Sequence, residues 1–305
     1  MKILLTGING QLGSQLQPPL KKIGDVIAVG RENLDLADSN AISQFIDQVK
    51  PELIINAAAY TAVDKSEKEP GLSHAINSIA PGIMAKEAKK LGATLIHIST
   101  DYVFDGSQST PYTETDSTNP LGTYGQSKLA GEEAIRETEA NHIIIRTAWV
   151  YGAYGKGNFV KTMLRVGKDR EELRVVYDQV GSPTWTGDLA EAIAQIIPHL
   201  NSQTYGTYHY TNSGAISWYD FAMTIFEEAK QLGFPLEVKR VVPITTAEYP
   251  TPAQRPAFSV LNSGKISKVL GHYPSYWRDS LRQMLKQLAA LSLSLIHISE
   301  PTRPY

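Results

Sequence analysis

The sequence predicts an α/β protein: a Rossmann-type doubly wound parallel sheet with a smaller C-terminal α/β lobe for substrate. Three observations carry this expectation. Short apolar runs alternate with amphipathic stretches through the first half of the chain, the rhythm of repeated strand–helix units. A glycine-rich turn follows the first apolar run at once. Beyond about Tyr151 the rhythm loosens into segments rich in Gly, Pro and aromatic residues.

The elements follow in order. Ile3 to Leu5, Val26 to Val29, Leu53 to Ile55, Leu95 to Ile98 and Ile143 to Ile145 are short apolar runs, as strands buried on both faces of a parallel sheet require. Between and after them, 41–49, 80–91 and 126–139 read as helices, and the second half adds candidates at 158–168, 186–198 and 218–232. The expected division is 1–150 for a dinucleotide-binding domain and 151–288 mainly for a substrate lobe, some of whose segments return to the first domain. From Leu291 the chain shows no helical period, and 289–305 reads as a non-native or disordered tail. With no internal repeat, low-complexity tract or long linker, the two lobes are expected to share one body.

Composition narrows the partners. A chain of 305 residues buries a substantial core. A formal net charge of -2 gives no reason to expect nucleic acid or an anionic membrane. The absence of cysteine excludes disulfides, thiolate catalysis and cysteine-ligated metal, and agrees with a reducing compartment. Met1 to Gly7 lacks an apolar signal core, and no run approaches the roughly 20 apolar residues that span a bilayer. A soluble cytoplasmic protein is expected. The seven histidines lack metal-ligand spacing, so no metal is expected, and His97 inside an apolar strand reads as a satisfied core residue.

Gly7-Ile8-Asn9-Gly10-Gln11-Leu12-Gly13 joins the first strand to a helix. Backbone amides at that helix N-terminus, with Gln11 and Leu12 among them, can meet a pyrophosphate. Gly7 suits the tight turn, Gly10 the approach of phosphate and Gly13 close helix packing; an ordinary strand–turn–helix corner would use glycine too. After the second strand, where an acid would bond a ribose 2′-hydroxyl, Arg31 favours a 2′-phosphate, with Glu32 beside it as a counterweight. NADPH is therefore the expected cofactor, with NADH possible. Asp35, next to Leu36, suits either the adenine side of the site or a cap for the following helix. Ala57, Ala58, Ala59 and Tyr60 end the third strand, where small side chains admit a flat nucleotide and equally serve helix packing.

Tyr124 and Lys128 stand four apart at the start of a helical segment, on one face. An ammonium near a phenol lowers its pKa, so the tyrosine can exchange a proton with a carbonyl oxygen while hydride moves at carbon. The spacing alone is weak. Its support is Ser99-Thr100-Asp101 after the fourth strand, where a doubly wound sheet does its ligand chemistry. Thr100 is placed to bond the reacting carbonyl; an Asx or Ser/Thr turn is the alternative use of these residues. The chain has neither a Gly-x-Ser-x-Gly elbow nor a Walker loop.

Together, 7–13, 99–104 and 124–128 resemble the extended short-chain dehydrogenase/reductase superfamily. With Ala57 to Asp64, Arg146 to Tyr151, Asp178 to Thr184 and Tyr249 to Pro256, the chain is similar to its dTDP-4-dehydrorhamnose reductase branch from Met1 to about Leu288. That resemblance implies NADPH-dependent reduction of the 4-keto group of dTDP-4-dehydro-L-rhamnose, a step toward bacterial surface polysaccharide. It makes Tyr124 the proton donor, Lys128 its partner and Thr100 the carbonyl-binding hydroxyl, and it puts Asp101 and Trp149 on the sugar of a dTDP-sugar substrate. Asn158, Lys161 and Arg255 are candidates for the nucleotide diphosphate, because amide and cationic side chains make strong bonds to it. Some members hold magnesium through glutamates at a subunit interface, whereas Gln15 stands near the start of the first helix here. Monomer and homodimer both remain open. Two other readings share these motifs: a nucleotide-sugar epimerase or dehydratase, which would recycle its cofactor, and a non-catalytic subunit resembling the β subunit of methionine adenosyltransferase, which would turn nothing over.

Overall fold

The computed structural model describes residues 1–299. Its first half alternates β1 (Lys2–Thr6), α1 (Gln11–Lys21), β2 (Asp25–Val29), α2 (Ser39–Val49) and β3 (Leu53–Asn56). Two short helices, α3 (Val63–Ser66) and α4 (Pro70–His74), lead through a π-helical turn, Ala75–Ile79, into α5 (Ala80–Leu91). β4 (Thr94–Thr100), a 3-10 turn at Asp101–Val103, α6 (Thr123–Glu137) and β5 (His142–Thr147) complete this half. Five strands and three helices thus stand where the sequence pattern expects them, with ends differing by a few residues.

In the second half come β6 (Val150–Tyr151), α7 (Phe159–Asp169), β7 (Glu172–Val176), β8 (Val180–Gly181), β9 (Thr184–Trp185) and α8 (Thr186–Ile196). They are followed by β10 (Gly206–His209), β11 (Ile216–Ser217), α9 (Trp218–Gln231), β12 (Arg240–Ile244), α10 (Gly264–Leu270) and α11 (Trp277–Ser299). The last helix runs into the stretch read as a tail. Its first turns are anchored by buried Trp277, Leu281, Met284 and Leu285. A helix so nucleated extends readily into residues rich in Leu and Ala, and its backbone continues to Ser299 through part of the stretch read as a tail. Residues 300–305 of that stretch lie outside the described residues.

One six-stranded sheet runs in the order β10-β5-β4-β3-β1-β2, and each neighbouring pair is parallel. The chain moves outward from β1 to β2 and then crosses to β3 on the other side, so the strand order reverses between β1 and β3. Ligands of open α/β sheets bind beyond the strand carboxyl ends at such a switch point. Two apolar layers cover the sheet, one with Leu12, Leu16, Leu189 and Ile193, the other with Ile42, Ile46, Met84 and Ile135. β10 pairs with β5, and α8 lies beside α1, so part of the second half completes the first. The remainder packs around Tyr151, Phe221 and Trp277.

Candidate active site

A cleft of about 780 Å³ opens at the carboxyl ends of β1, β3 and β4 and passes beneath the second lobe. Gly7 sits at its floor with φ +76°, and a Cβ there would lie 2.8 Å from the Ala58 nitrogen. A Cβ on Gly13 would stand 2.1 Å from the Gly7 carbonyl oxygen. Both positions therefore exclude any side chain. Gly10 caps α1 without a side-chain bond, which leaves the amides of the first turn available to an anion. Gln11, Leu12, Arg31, Asp35, Leu36, Ala57, Ala58, Ala59 and Tyr60 line the same cleft. A bare glycine loop, an uncapped helix start and a long groove fit a dinucleotide.

The adenosine end has its own electrostatics. Arg31 is exposed and reaches Asp35 at 3.5 Å, while Glu32 is turned toward the Asn9 amide, 3.3 and 3.4 Å away. Asp35 accepts from the Ala37 amide, but Asp38 is the cap of α2. The acid nearest Arg31 is thus Asp35, across an exposed pair that is weak in water. Tyr60 donates its hydroxyl to Glu69 at 2.6 Å.

Helix α6 is held at its start by Glu67, whose carboxylate accepts from the Thr123 amide at 2.8 Å and hydroxyl at 2.9 Å. A carboxylate there also complements the helix dipole. Ser127 bonds Ser73 and Asn77 of the neighbouring turn, so the face bearing Tyr124 and Lys128 has a fixed height. Tyr124 meets Tyr102 edge-to-face at 5.5 Å. Thr100, Asp101, Tyr124, Lys128 and Trp149 all border the cleft.

The structure corrects one expectation about the phenol. Burial pushes Tyr124 up to about 12; a hydrogen bond with Thr100 opposes this and the charge of Asp101 adds to it. Lys128 is not aimed to offset that burial. Its Nζ lies 2.6 Å from the Ile98 carbonyl oxygen and 3.1 Å from His97 Nε2. Burial in turn pulls Lys128 down to about 8, against the favourable Glu132 carboxylate. Desolvation outweighs proximity for both groups.

Asn158 borders the cleft, but its amide donates to Gln11 Oε1 and the Gly152 carbonyl while its oxygen caps α7. It clasps the second lobe to the cofactor loop. Lys161 and Arg255 are not among the residues bordering the cleft. Lys161 donates to the carbonyls of Tyr154 and Gly155, and Arg255 pairs with Asp64 at 3.0 Å. Lys156, which carried no motif, does border the cleft. So does Thr6, at the end of a buried side-chain chain through Asn56 and His97 to Lys128. Its signal was invisible because it depends on strand register. Gln15 lies within reach of Gln287, and the described residues hold no group of three or more potential metal ligands.

Comparison with known proteins identifies this architecture. The family model described as RmlD substrate binding domain matches residues 1–290. A relative in Escherichia coli K12, dTDP-4-dehydrorhamnose reductase, is 43% identical over 295 residues, covering 94% of this chain and 98% of that one. The crystal structure of a dTDP-4-dehydrorhamnose reductase from Clostridium acetobutylicum superposes with a TM-score of 0.87 at 43% identity, over 95% of this chain and 100% of that one. Another, from Bacillus anthracis and solved in complex with NADP, gives 0.87 at 39% identity, over 94% and 99%. On the glycine cradle, the Thr100–Tyr124–Lys128 cleft and this end-to-end similarity, the chain belongs to the dTDP-4-dehydrorhamnose reductase family.

Proposed function

We infer that this chain reduces the 4-keto group of dTDP-4-dehydro-L-rhamnose to the alcohol of dTDP-L-rhamnose, with NADPH as reductant. It is an NADP-dependent oxidoreductase of the dTDP-rhamnose route. The observation that carries the residue roles is the gathering of Thr100, Tyr124 and Lys128 around one cleft beside the glycine loop. When bound, the dinucleotide supplies hydride to the carbonyl carbon. The protein supplies the rest: Thr100 and Tyr124 hold the carbonyl oxygen, Tyr124 gives it a proton as negative charge develops, and Lys128, one turn along α6, is the ammonium available to the nicotinamide ribose. A phenol held at about 12 is fully protonated at neutral pH, the state a proton donor needs.

Asp101 and Trp149, which border the cleft, are proposed to contact the sugar, and Arg31, which also borders it, to meet a 2′-phosphate. Among the described residues no helix is long and apolar enough to cross a membrane, and the proposed site of action is the cytoplasm, where the nucleotide-sugar substrate and NADPH would be met.

The test is NADPH absorbance with enzymatically generated dTDP-4-dehydro-L-rhamnose, for wild type and Tyr124→Phe, repeated with NADH. One NADPH consumed per sugar, a loss of about 100-fold or more in the variant and slower turnover with NADH are expected. Binding of NADPH without its oxidation would instead favour an epimerase or a regulatory subunit.

A further inference from the structure

Thr6, Asn56 and His97 stand side by side on β1, β3 and β4, in register across three neighbouring strands. All three are buried. Thr6 Oγ1 donates to Asn56 Oδ1 at 2.8 Å, and the Ala58 amide donates to the same oxygen at 3.2 Å. Asn56 Nδ2 then faces His97 Nδ1 at 3.1 Å, and His97 Nε2 faces Lys128 Nζ at 3.1 Å.

Donor counting makes this chain a switch. A neutral imidazole has one N–H and one lone pair. The Ala58 amide can only donate, so it fixes Asn56 with its oxygen toward Ala58 and its NH2 toward His97. His97 must then accept at Nδ1 and carry its proton on Nε2. That proton points at Lys128, which can accept it only as a neutral amine. If Lys128 is an ammonium it donates to Nε2, His97 carries its proton on Nδ1, and Asn56 must turn its amide to accept it. Turning takes the acceptor away from the Ala58 amide. An imidazolium is disfavoured because burial and the charge of Lys128 both hold His97 well below its ordinary range.

We propose that His97 is a positioning residue of the reductase site, whose tautomer ties the charge on Lys128 to the orientation of the Asn56 amide. The inference rests on the reductase reading for its consequence, though not for its geometry. Lys128 loads its proton only with a coordinated change one strand away, which makes the ammonium harder to form than burial alone would. The other charged or titratable groups are accounted for. Glu132, one turn along α6, favours the ammonium but is bound by Arg146, Arg136 and Ser99. Asp101 and Tyr124 share the cleft with Lys128, while the Ile98 carbonyl accepts from it in either charge state.

Asn56→Ser breaks the tie without adding charge, because its hydroxyl can donate to His97 Nδ1 or accept from it, whichever the charge on Lys128 requires. The alkaline limb of kcat for reduction, where Lys128 loses its proton, is expected to move up by about half a pH unit or more, with KM for the dTDP-sugar within about twofold of wild type. Asn56→Asp, which locks His97 as the Nδ1–H tautomer, is expected to move the limb the same way. Folded variants with an unmoved limb would overturn the proposal. Long-range 15N–1H NMR of the wild-type protein needs no variant and no turnover. The Nε2–H tautomer of His97 is expected above the limb and Nδ1–H below it, titrating between pH 6 and 10; one tautomer throughout would overturn the proposal even if the protein reduces the sugar normally. Wild-type turnover judges the reductase reading separately.

Discussion

The indole of Trp149 lies flat on that of Trp218, with ring centroids 3.5 Å apart and planes 7° from parallel. Trp149 holds this pose with φ +47°, a left-handed backbone that a bulky residue adopts only under constraint. Its other constraint is Gly181, where a Cβ would lie 2.6 Å from the indole. The second lobe thus presses a cleft-lining tryptophan into place.

Trp218→Ala is therefore expected to loosen Trp149 and weaken sugar binding while sparing the dinucleotide. An aromatic pair adds about 0.5–1.5 kcal/mol beyond area burial, so KM for the dTDP-sugar should rise roughly 2- to 13-fold. The Kd for NADPH should stay within about twofold. Steady-state kinetics and cofactor titration separate the two, and an unchanged KM would show that the stack serves folding alone.

Gly13→Ala tests the opposite end of the cleft. A Cβ 2.1 Å from a backbone carbonyl cannot be relieved by rotating a side chain; α1 or the Gly7 turn must move. If those backbone amides hold the pyrophosphate as proposed, NADPH affinity should fall at least about tenfold. Fluorescence titration would measure it, and wild-type affinity in the variant would mean that the loop is not the cofactor cradle.

The periodicity of the chain identified every strand of the main sheet up to β5, because buried parallel strands are apolar on both faces and stand out without context. Ala80–Leu91 is even delimited to the residue, with Gly92 closing it in the left-handed conformation that favours glycine. Short strands such as β8 and β9, of two residues each, have no period to display. The cleft lining was legible where it sits in local motifs: Gly7 and Gly10, Thr100 and Asp101, Tyr124 and Lys128 all border the one cleft. It was illegible where it depends on register. Nothing within the run Leu95 to Ile98 says that His97 stands level with Asn56, and Lys161 reads as a diphosphate ligand until its ammonium is found on loop carbonyls.

Register also creates the buried ion pair beneath the site. Ser99 and Arg146 are paired on β4 and β5, and both bind Glu132 of α6, at 2.6 Å and at 2.9 and 2.7 Å. Burial works against ionising Glu132, but Arg146, Ser99 and Arg136 outweigh it and hold the carboxyl below its ordinary range. Its folded pKa is depressed, so its stabilisation is present above the unfolded value near 4.3 and disappears as pH falls through the folded one. Glu132→Gln leaves Arg146 buried without its counter-ion and should destabilise by about 3–5 kcal/mol. Glu132→Leu combined with Arg146→Met should recover much of that loss, because the pair had to be desolvated. Urea midpoints at pH 7 would decide, and a Gln variant as stable as wild type would remove the pair from the account of the fold.

Asp101 presents the reverse case. One carboxylate oxygen, Oδ2, has no hydrogen-bond partner among the described residues, and only 2% of the residue is exposed. Burial pushes the carboxyl up to about 6, although hydrogen bonds from Ser259 and Thr100 pull the other way. Here the folded state binds the proton more tightly than the unfolded chain, whose value is about 3.9. Stability from this residue is therefore fully present at low pH and falls as pH rises from about 4 through about 6. Asp101→Asn removes the ionisation. The variant should match wild type near pH 4 and exceed it at pH 7 by on the order of 2 to 3 kcal/mol in the ligand-free protein. Turnover should move in the opposite direction, since the carboxylate oxygen Oδ2 left unpaired in the cleft is available to a sugar hydroxyl and a neutral amide accepts more weakly. Urea titrations at pH 4, 5, 6 and 7, with kcat/KM measured on the same samples, test both halves. A variant less stable than wild type at pH 7 would mean that Asp101 is tied into the fold and is not held unpaired for substrate.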